Sequence, residues 1–216
     1  MSVGRCAAVS LLILLMGNRA AQAQPFSASY DQKVTRGAEV STSKVLVKNT
    51  MFRIESTMEG ERNIIIRNQD GLYTYAPAEG TAVKLEGLEP SLVAAETLGD
   101  YAGYLHQRGA ARIDSDIVNG RLCDVYQFTD PATRSQATAW VWQDKQFPLK
   151  VELDGPDGIT VVELSNIQLD VVPSDTAFQL PSDVQLMDVD ALINAEDDAG
   201  EESRGSDDPA LKIESQ

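Results

Sequence analysis

A single histidine, His106, and two cysteines, Cys6 and Cys123, are the most reactive side chains available. A serine or cysteine hydrolase needs a base beside its nucleophile, and His106 would have to serve. It lies next to Leu105 in an apolar-periodic stretch, and no serine sits in a Gly-x-Ser-x-Gly elbow. Zinc sites usually draw three or four ligands from His, Cys and carboxylates, and this inventory hardly supplies them. Neither a G-x-G-x-x-G loop nor a Walker lysine motif is present to cradle phosphate. Carboxylates abound, but an acidic chain produces close pairs by chance, so spacing does not point to a two-carboxylate glycosidase. Lys and Arg total 18 against 33 Asp and Glu, a formal net charge of -15. Phosphate contacts are made largely by Lys and Arg, so no nucleic-acid partner is expected, and charge alone does not favour an anionic membrane. The expectation is a non-enzymatic protein without metal or cofactor, in which apolar and aromatic side chains do the work.

Those side chains belong to a body of residues 24–187, set between an address and a tail. Residues 1–23 read as a secretory signal peptide: Arg5, an apolar core from Ala7 to Met16, then Ala21-Gln22-Ala23 as a small-x-small cleavage signal. The core is about half the roughly 20 residues that span a bilayer. Lipoprotein attachment would need a cysteine directly after that core, whereas Cys6 precedes it. Cleavage after Ala23 is therefore expected to release a soluble chain into the periplasm. It leaves Cys123 alone, so no intramolecular disulfide forms, and Cys123 reads as a small buried hydrophobe. Residues 188–216 carry ten acidic groups against Arg204 and Lys212, a composition expected to be disordered.

Within the body, apolar residues alternate in short runs separated by turn dipeptides. Phe26 to Val34, Lys44 to Lys48, Met51 to Met58, Ile64 to Ile66, Leu72 to Tyr75 and Ala82 to Leu85 follow one another across Arg36-Gly37, Glu59-Gly60, Asp70-Gly71 and Glu79-Gly80. This is the pattern of an antiparallel meander. Between Leu88 and Arg108 the period changes: Leu92, Val93, Leu98, Tyr101, Ala102 and Leu105 recur every three or four residues, as in an amphipathic helix. Pro90 suits its first turn, Gly99 and Gly103 favour a break or two short helices, and Gly109 suits its C-terminal cap. Strands resume at Ala111–Val118, turn at Asn119-Gly120, and continue through Leu122–Phe128, Ala137–Trp142, Phe147–Leu153 and Ile159–Leu169. About ten strands with one helical insertion make a mainly β fold.

Several stretches together resemble the LolA/LolB-like group of periplasmic lipoprotein carriers. Phe26-Ser-Ala-Ser-Tyr30-Asp-Gln is similar to the family's first strand, and Val47-Lys48-Asn49-Thr50-Met51-Phe52-Arg53 to its second hairpin. Asp70-Gly71-Leu72-Tyr73-Thr74-Tyr75 and the closing Phe178-Gln-Leu-Pro181-Ser-Asp-Val184 complete the likeness over about residues 26–190. The resemblance implies a strongly curved antiparallel sheet forming an incomplete, half-open barrel, with helices as a lid over a cavity for lipoprotein acyl chains. It also implies partners: an inner-membrane releasing complex and an outer-membrane acceptor. The family's lid-latching basic residue falls where this chain reads Lys48-Asn49, and its longer N-terminal helix is missing, which marks a divergent member, open to another hydrophobic lipid.

Candidates to line such a cavity are Tyr30, Val47, Ile54, Ile64, Ile66, Tyr73, Tyr75 and Trp142, with Leu92, Leu98 and Tyr101 from the lid. Each also fits an ordinary core, and alternation leaves open which sheet face is concave. Phe52 matches the position where the family carries an aromatic near its partner-docking edge. Burying acyl methylenes yields roughly 0.8 kcal/mol per CH₂, so a modest cavity can hold a chain without covalent help. The alternative on the same scaffold is an envelope protein-interaction or stress-sensing module, in which the sheet binds peptide.

Overall fold

The computed structural model describes residues 26–58, 60–85, 98, 100–129, 134–156, 158–169 and 171–187. The signal peptide of residues 1–23, the acidic tail of residues 188–216, Leu92 and the Pro90 helix start lie outside the described residues. Twelve strands follow in chain order: β1 (Ser27–Arg36), β2 (Glu39–Lys48), β3 (Met51–Met58), β4 (Glu61–Arg67), β5 (Leu72–Ala76), β6 (Thr81–Lys84), β7 (Ala111–Val118), β8 (Arg121–Thr129), β9 (Gln136–Trp142), β10 (Phe147–Gly155), β11 (Gly158–Leu169) and β12 (Gln185–Met187). Helix α1 (Tyr101–Gln107) stands between β6 and β7, and a 3₁₀ turn (Asp175–Phe178) precedes β12.

All twelve strands belong to one sheet, ordered β12-β6-β5-β4-β3-β2-β1-β11-β10-β9-β8-β7. Two meanders, β1–β6 and β7–β11, join where β1 pairs antiparallel with β11. The sheet is not closed into a barrel: β12 ends it on one side and β7 on the other. Every pairing is antiparallel except β12 on β6. The expected hairpins form, and the tightest shows why its residues were chosen. Asn119 and Gly120 both take positive φ, 51° and 74°, which a two-residue hairpin turn matched to strand twist requires. Sequence alternation suggested about ten strands, and the three-residue β12 offered no alternation to count.

Asp100 caps the N-terminus of helix α1. The Asp100 carboxylate accepts the Gly103 N–H at 3.0 Å, filling one of the orphan donors of a helix start. A Cβ at position 103 would collide with that carboxylate, so this glycine accommodates the cap. At the other end Gly109 N–H donates to His106 O and Ala110 N–H to Leu105 O, with Gly109 at φ 68°. That is the glycine-terminated Schellman arrangement.

Register assigns the faces. Val34 stands opposite Val162, Val162 opposite Val151 and Val151 opposite Ala139, so one face runs continuously from β1 to β9. We call it the inner face. Helix α1 packs on it through Tyr101, Tyr104 and Leu105, against Phe128, Ala137, Ala139, Val141, Val151 and Leu153. The other, outer face is covered near β2–β5 by residues 175–180, which form a strap.

Candidate functional site

On the inner face, Tyr30 lies opposite Val45, and Val47 opposite both Ala28 and Phe52. Val45 in turn faces Ile54. These side chains pack into one cluster with Phe147, Leu149 and Leu164, and none of Tyr30, Val45, Val47, Phe52 or Ile54 is more than 6% exposed. The Phe147 ring meets Tyr30 edge-on at 5.9 Å and stacks with Phe26 at 6.4 Å. Burial pushes the Tyr30 phenol well above its ordinary range.

Four sequence candidates stand elsewhere. Because Ile54 pairs with Ile65, it is Ile65 that shares the inner face. Ile64 and Ile66 turn outward, opposite Tyr75 and Tyr73 respectively. The run Ile64-Ile65-Ile66 is apolar on both faces of β4, which removes the alternation that would have told the faces apart. Outside, Ile64 and Ile66 bury Phe178 of the strap, with Tyr75, Ala177 and Leu180 packed around them. Thus Tyr30, Val47, Ile54 and Phe52 come together, and Ile64, Ile66, Tyr73 and Tyr75 form a separate group behind the sheet.

Leu98 joins two regions that the sequence kept apart. It packs against the β1–β3 cluster and also against the helix cluster on β8–β10. Beneath α1 the floor is made of small residues, Ala137 and Ala139 at 0% exposure, which let the helix approach closely. Tyr101 is 1% exposed and its ring stacks on Tyr104 at 5.7 Å. Its hydroxyl is buried with no hydrogen-bond partner, an arrangement that costs roughly 1–3 kcal/mol. Burial first, and the neighbouring Tyr104 second, push the Tyr101 phenol far up.

Trp142 is half-buried, opposite Cys123 on β8 and Phe147 on β10. The Arg121 guanidinium lies 4.4 Å from its ring centroid. Cys123 is fully buried. Burial raises its thiol against an opposing backbone hydrogen bond at Val118, which suits packing rather than nucleophilic chemistry. His106 is exposed in the last turn of α1. Phe52, the docking candidate, is 3% exposed between Val47 and Arg67, so it faces the inner cluster. Lys48 does not reach the helix; its ammonium pairs with Asp175 on the strap.

Sequence reasoning singled out the stretch from Phe178 to Val184 as a closing element but did not place it on the outer face of β4. Beyond Lys48, the Arg53 guanidinium donates to Ala177 O at 3.1 Å and the Asn68 amide to Phe178 O at 3.1 Å. Arg53 also binds Glu55 at 2.6 Å, and Arg62 binds the same carboxylate at 2.5 Å. The available signal was Phe178 followed by Leu180, a spacing that places two apolar side chains on one seat.

No family model matches the sequence, and no curated protein matches it. Solved structures do. An uncharacterized conserved protein from Thermus thermophilus superposes at TM-score 0.55, with 10% identity, over 77% of this chain and 91% of that one. MucB in the MucA/MucB complex of Pseudomonas aeruginosa superposes at TM-score 0.51 with 15% identity over 75% of this chain; the chain spans only 58% of the matched one. The matches also include a LolA superfamily protein, NE2245 from Nitrosomonas europaea, at 14% identity over 74% and 91% of the two chains. At TM-score 0.35 this last match carries no argument. What the Thermus protein and MucB share with this chain, at 10% and 15% identity, is its fold.

Proposed function

We propose that this chain is an exported, periplasmic, non-enzymatic binding protein that takes the acyl chain of a lipoprotein or a similar lipid on its inner face beneath helix α1. The observation that carries this reading is the position of Leu98, which packs on the β1–β3 cluster and the helix floor alike. Displacing the helix would therefore expose one continuous apolar surface, from Tyr30, Val47, Phe52 and Ile54 through Leu149 to Val151 and Phe128. The helix is short and rests on that surface through Tyr101, Tyr104 and Leu105, contacts that an acyl chain can replace with its own methylenes at roughly 0.8 kcal/mol each. In this reading Ile64, Ile66 and Tyr75 serve the strap, Tyr73 lies on the same outer face, and none of the four touches the ligand. Cargo would pass from an inner-membrane releasing complex to an outer-membrane acceptor.

Titration with a fluorescent long-chain fatty acid tests it. Wild-type protein should take up the probe, and Leu98→Glu, which puts a charge at the seam, should weaken uptake by more than about tenfold. Wild-type protein that stays empty, or a Leu98→Glu variant that binds as well, overturns the reading. A second reading draws on the likeness to MucB, which is found in complex with MucA: the same scaffold binding an envelope protein in place of lipid. Under that reading a protein partner survives the Leu98→Glu change.

A further inference from the structure

We infer that the open edge of the sheet along β7 is a docking edge for an extended, basic protein segment, whatever the inner face holds. Among the described residues β7 ends the sheet and pairs only with β8, and residues 111–117 are all exposed. Its outward backbone groups follow from the hairpin. Across a two-residue turn the flanking pair, Val118 and Arg121, exchanges both hydrogen bonds, and bonded pairs alternate from there. Ile117 opposite Leu122 and Ser115 opposite Asp124 are then the non-bonded pairs, whose N–H groups point away from β8. Those two amides are covered. The Ser115 N–H donates to Asp114 Oδ1 and the Ile117 N–H to Asp116 Oδ1, each at 2.7 Å.

Carboxylates on an edge strand ordinarily serve to keep other edges away, and two copies of β7 aligned antiparallel about Ser115 would set Asp114 against Asp116. The apolar pattern argues for more than protection. Of the eight large hydrophobics exposed among the described residues, Ile113, Ile117 and Leu122 fall on this one hairpin, at 54%, 68% and 50% exposure. Ile117 and Leu122 are directly opposed, and Ile113 is the extra residue of a bulge between Arg112 and Asp114. A strand carrying Lys or Arg would draw the Asp114 and Asp116 carboxylates onto its own cations. That frees the Ser115 and Ile117 amides to pair with it, as in β-strand addition, while its alternate apolar side chains cover Ile117 and Leu122. An acidic strand meets the same carboxylates as a barrier, and the acidic edge equally disfavours an anionic lipid surface.

The test titrates the full chain with an eight-residue peptide alternating lysine and valine, read by the NMR amide signals of Ser115 and Ile117. Binding should shift both signals, weaken as salt is raised, and fail with the glutamate–valine counterpart. Asp114→Asn with Asp116→Asn keeps the capping oxygens but removes the charges, and should weaken the lysine peptide roughly tenfold. Ile117→Ser, which leaves the carboxylates in place, should weaken it several-fold by removing the apolar contact, so the readout does not depend on one variant. The inference is overturned if the lysine peptide shifts signals elsewhere but not here, if the glutamate peptide binds equally, or if the asparagine variant loses no affinity.

Discussion

Helix α1 and the strap cover opposite faces of the sheet, and they are held there by different forces. The helix rests on Ala137, Ala139, Val141, Val151 and Leu153 through aromatic and aliphatic packing, and it even buries a hydroxyl, that of Tyr101, without a partner. The strap carries one large plug, Phe178 at 0% exposure, ringed by directional bonds from Lys48, Arg53 and Asn68. Apolar packing is non-directional, so an incoming hydrocarbon can substitute for it. Hydrogen bonds to backbone carbonyls have no such substitute, because a donor left unmet is costly. The difference teaches which cover is suited to move: the helix to exchange, the strap to stay.

Removing the plug should break this contrast most severely. Phe178→Ala empties the seat formed by Ile64 and Ile66 and should lower stability by about 3–5 kcal/mol, read as a shift of the denaturant midpoint. Overfilling the helix floor comes next. Ala139→Leu should cost about 1–3 kcal/mol, and fluorescent fatty-acid titration of the same variant should show altered uptake. The corresponding titration of any folded strap variant should match wild type. If both covers respond alike, the division between them is wrong.

The smallest effect is electrostatic and sharpens the strap side alone. Burial would raise the Glu55 carboxyl, but hydrogen bonds from Arg53 and Arg62 outweigh it and hold the group below its ordinary value. As pH falls, the unfolded chain therefore takes up this proton before the folded chain does. The stabilisation is whole above about pH 5 and is lost as pH drops through the carboxylate range near 4. Protonation also releases Arg53, which donates to the strap at Ala177. Glu55→Gln should remove that part of the acid slope and cost less than about 1 kcal/mol at neutral pH, measured by urea melts at several pH values.

Much of the fold was legible because each strand carries its own period and each turn its own chemistry. Asn119-Gly120, Asp70-Gly71 and the switch in spacing at Leu98, Tyr101 and Leu105 are local signals, read without any knowledge of what lies across the sheet. The site was legible only in part. Tyr30, Val47, Ile54 and Phe52 share a face as their alternation suggests, whereas Ile64, Ile66, Tyr73 and Tyr75 fall behind the sheet. A triple isoleucine has no phase to read. Phe52 resembled a docking residue and lies 3% exposed, since what covers an inner-face aromatic comes from β1, β10 and β11, remote in the chain.

By itself the sequence determined a mainly β, acidic chain with hairpin-linked strands, an amphipathic helical insertion, and a scarcity of catalytic or metal-binding side chains. Local propensity and turn chemistry act over a few residues and need no partners. The tertiary structure alone decided three further things: that β1 meets β11 and joins the meanders, that Phe178 packs on the outer face, and that β7 stands at an edge among the described residues, with its Ser115 and Ile117 amides capped by Asp114 and Asp116. Each depends on contacts between residues far apart in sequence, or on which strand ends the sheet, and no local pattern encodes either.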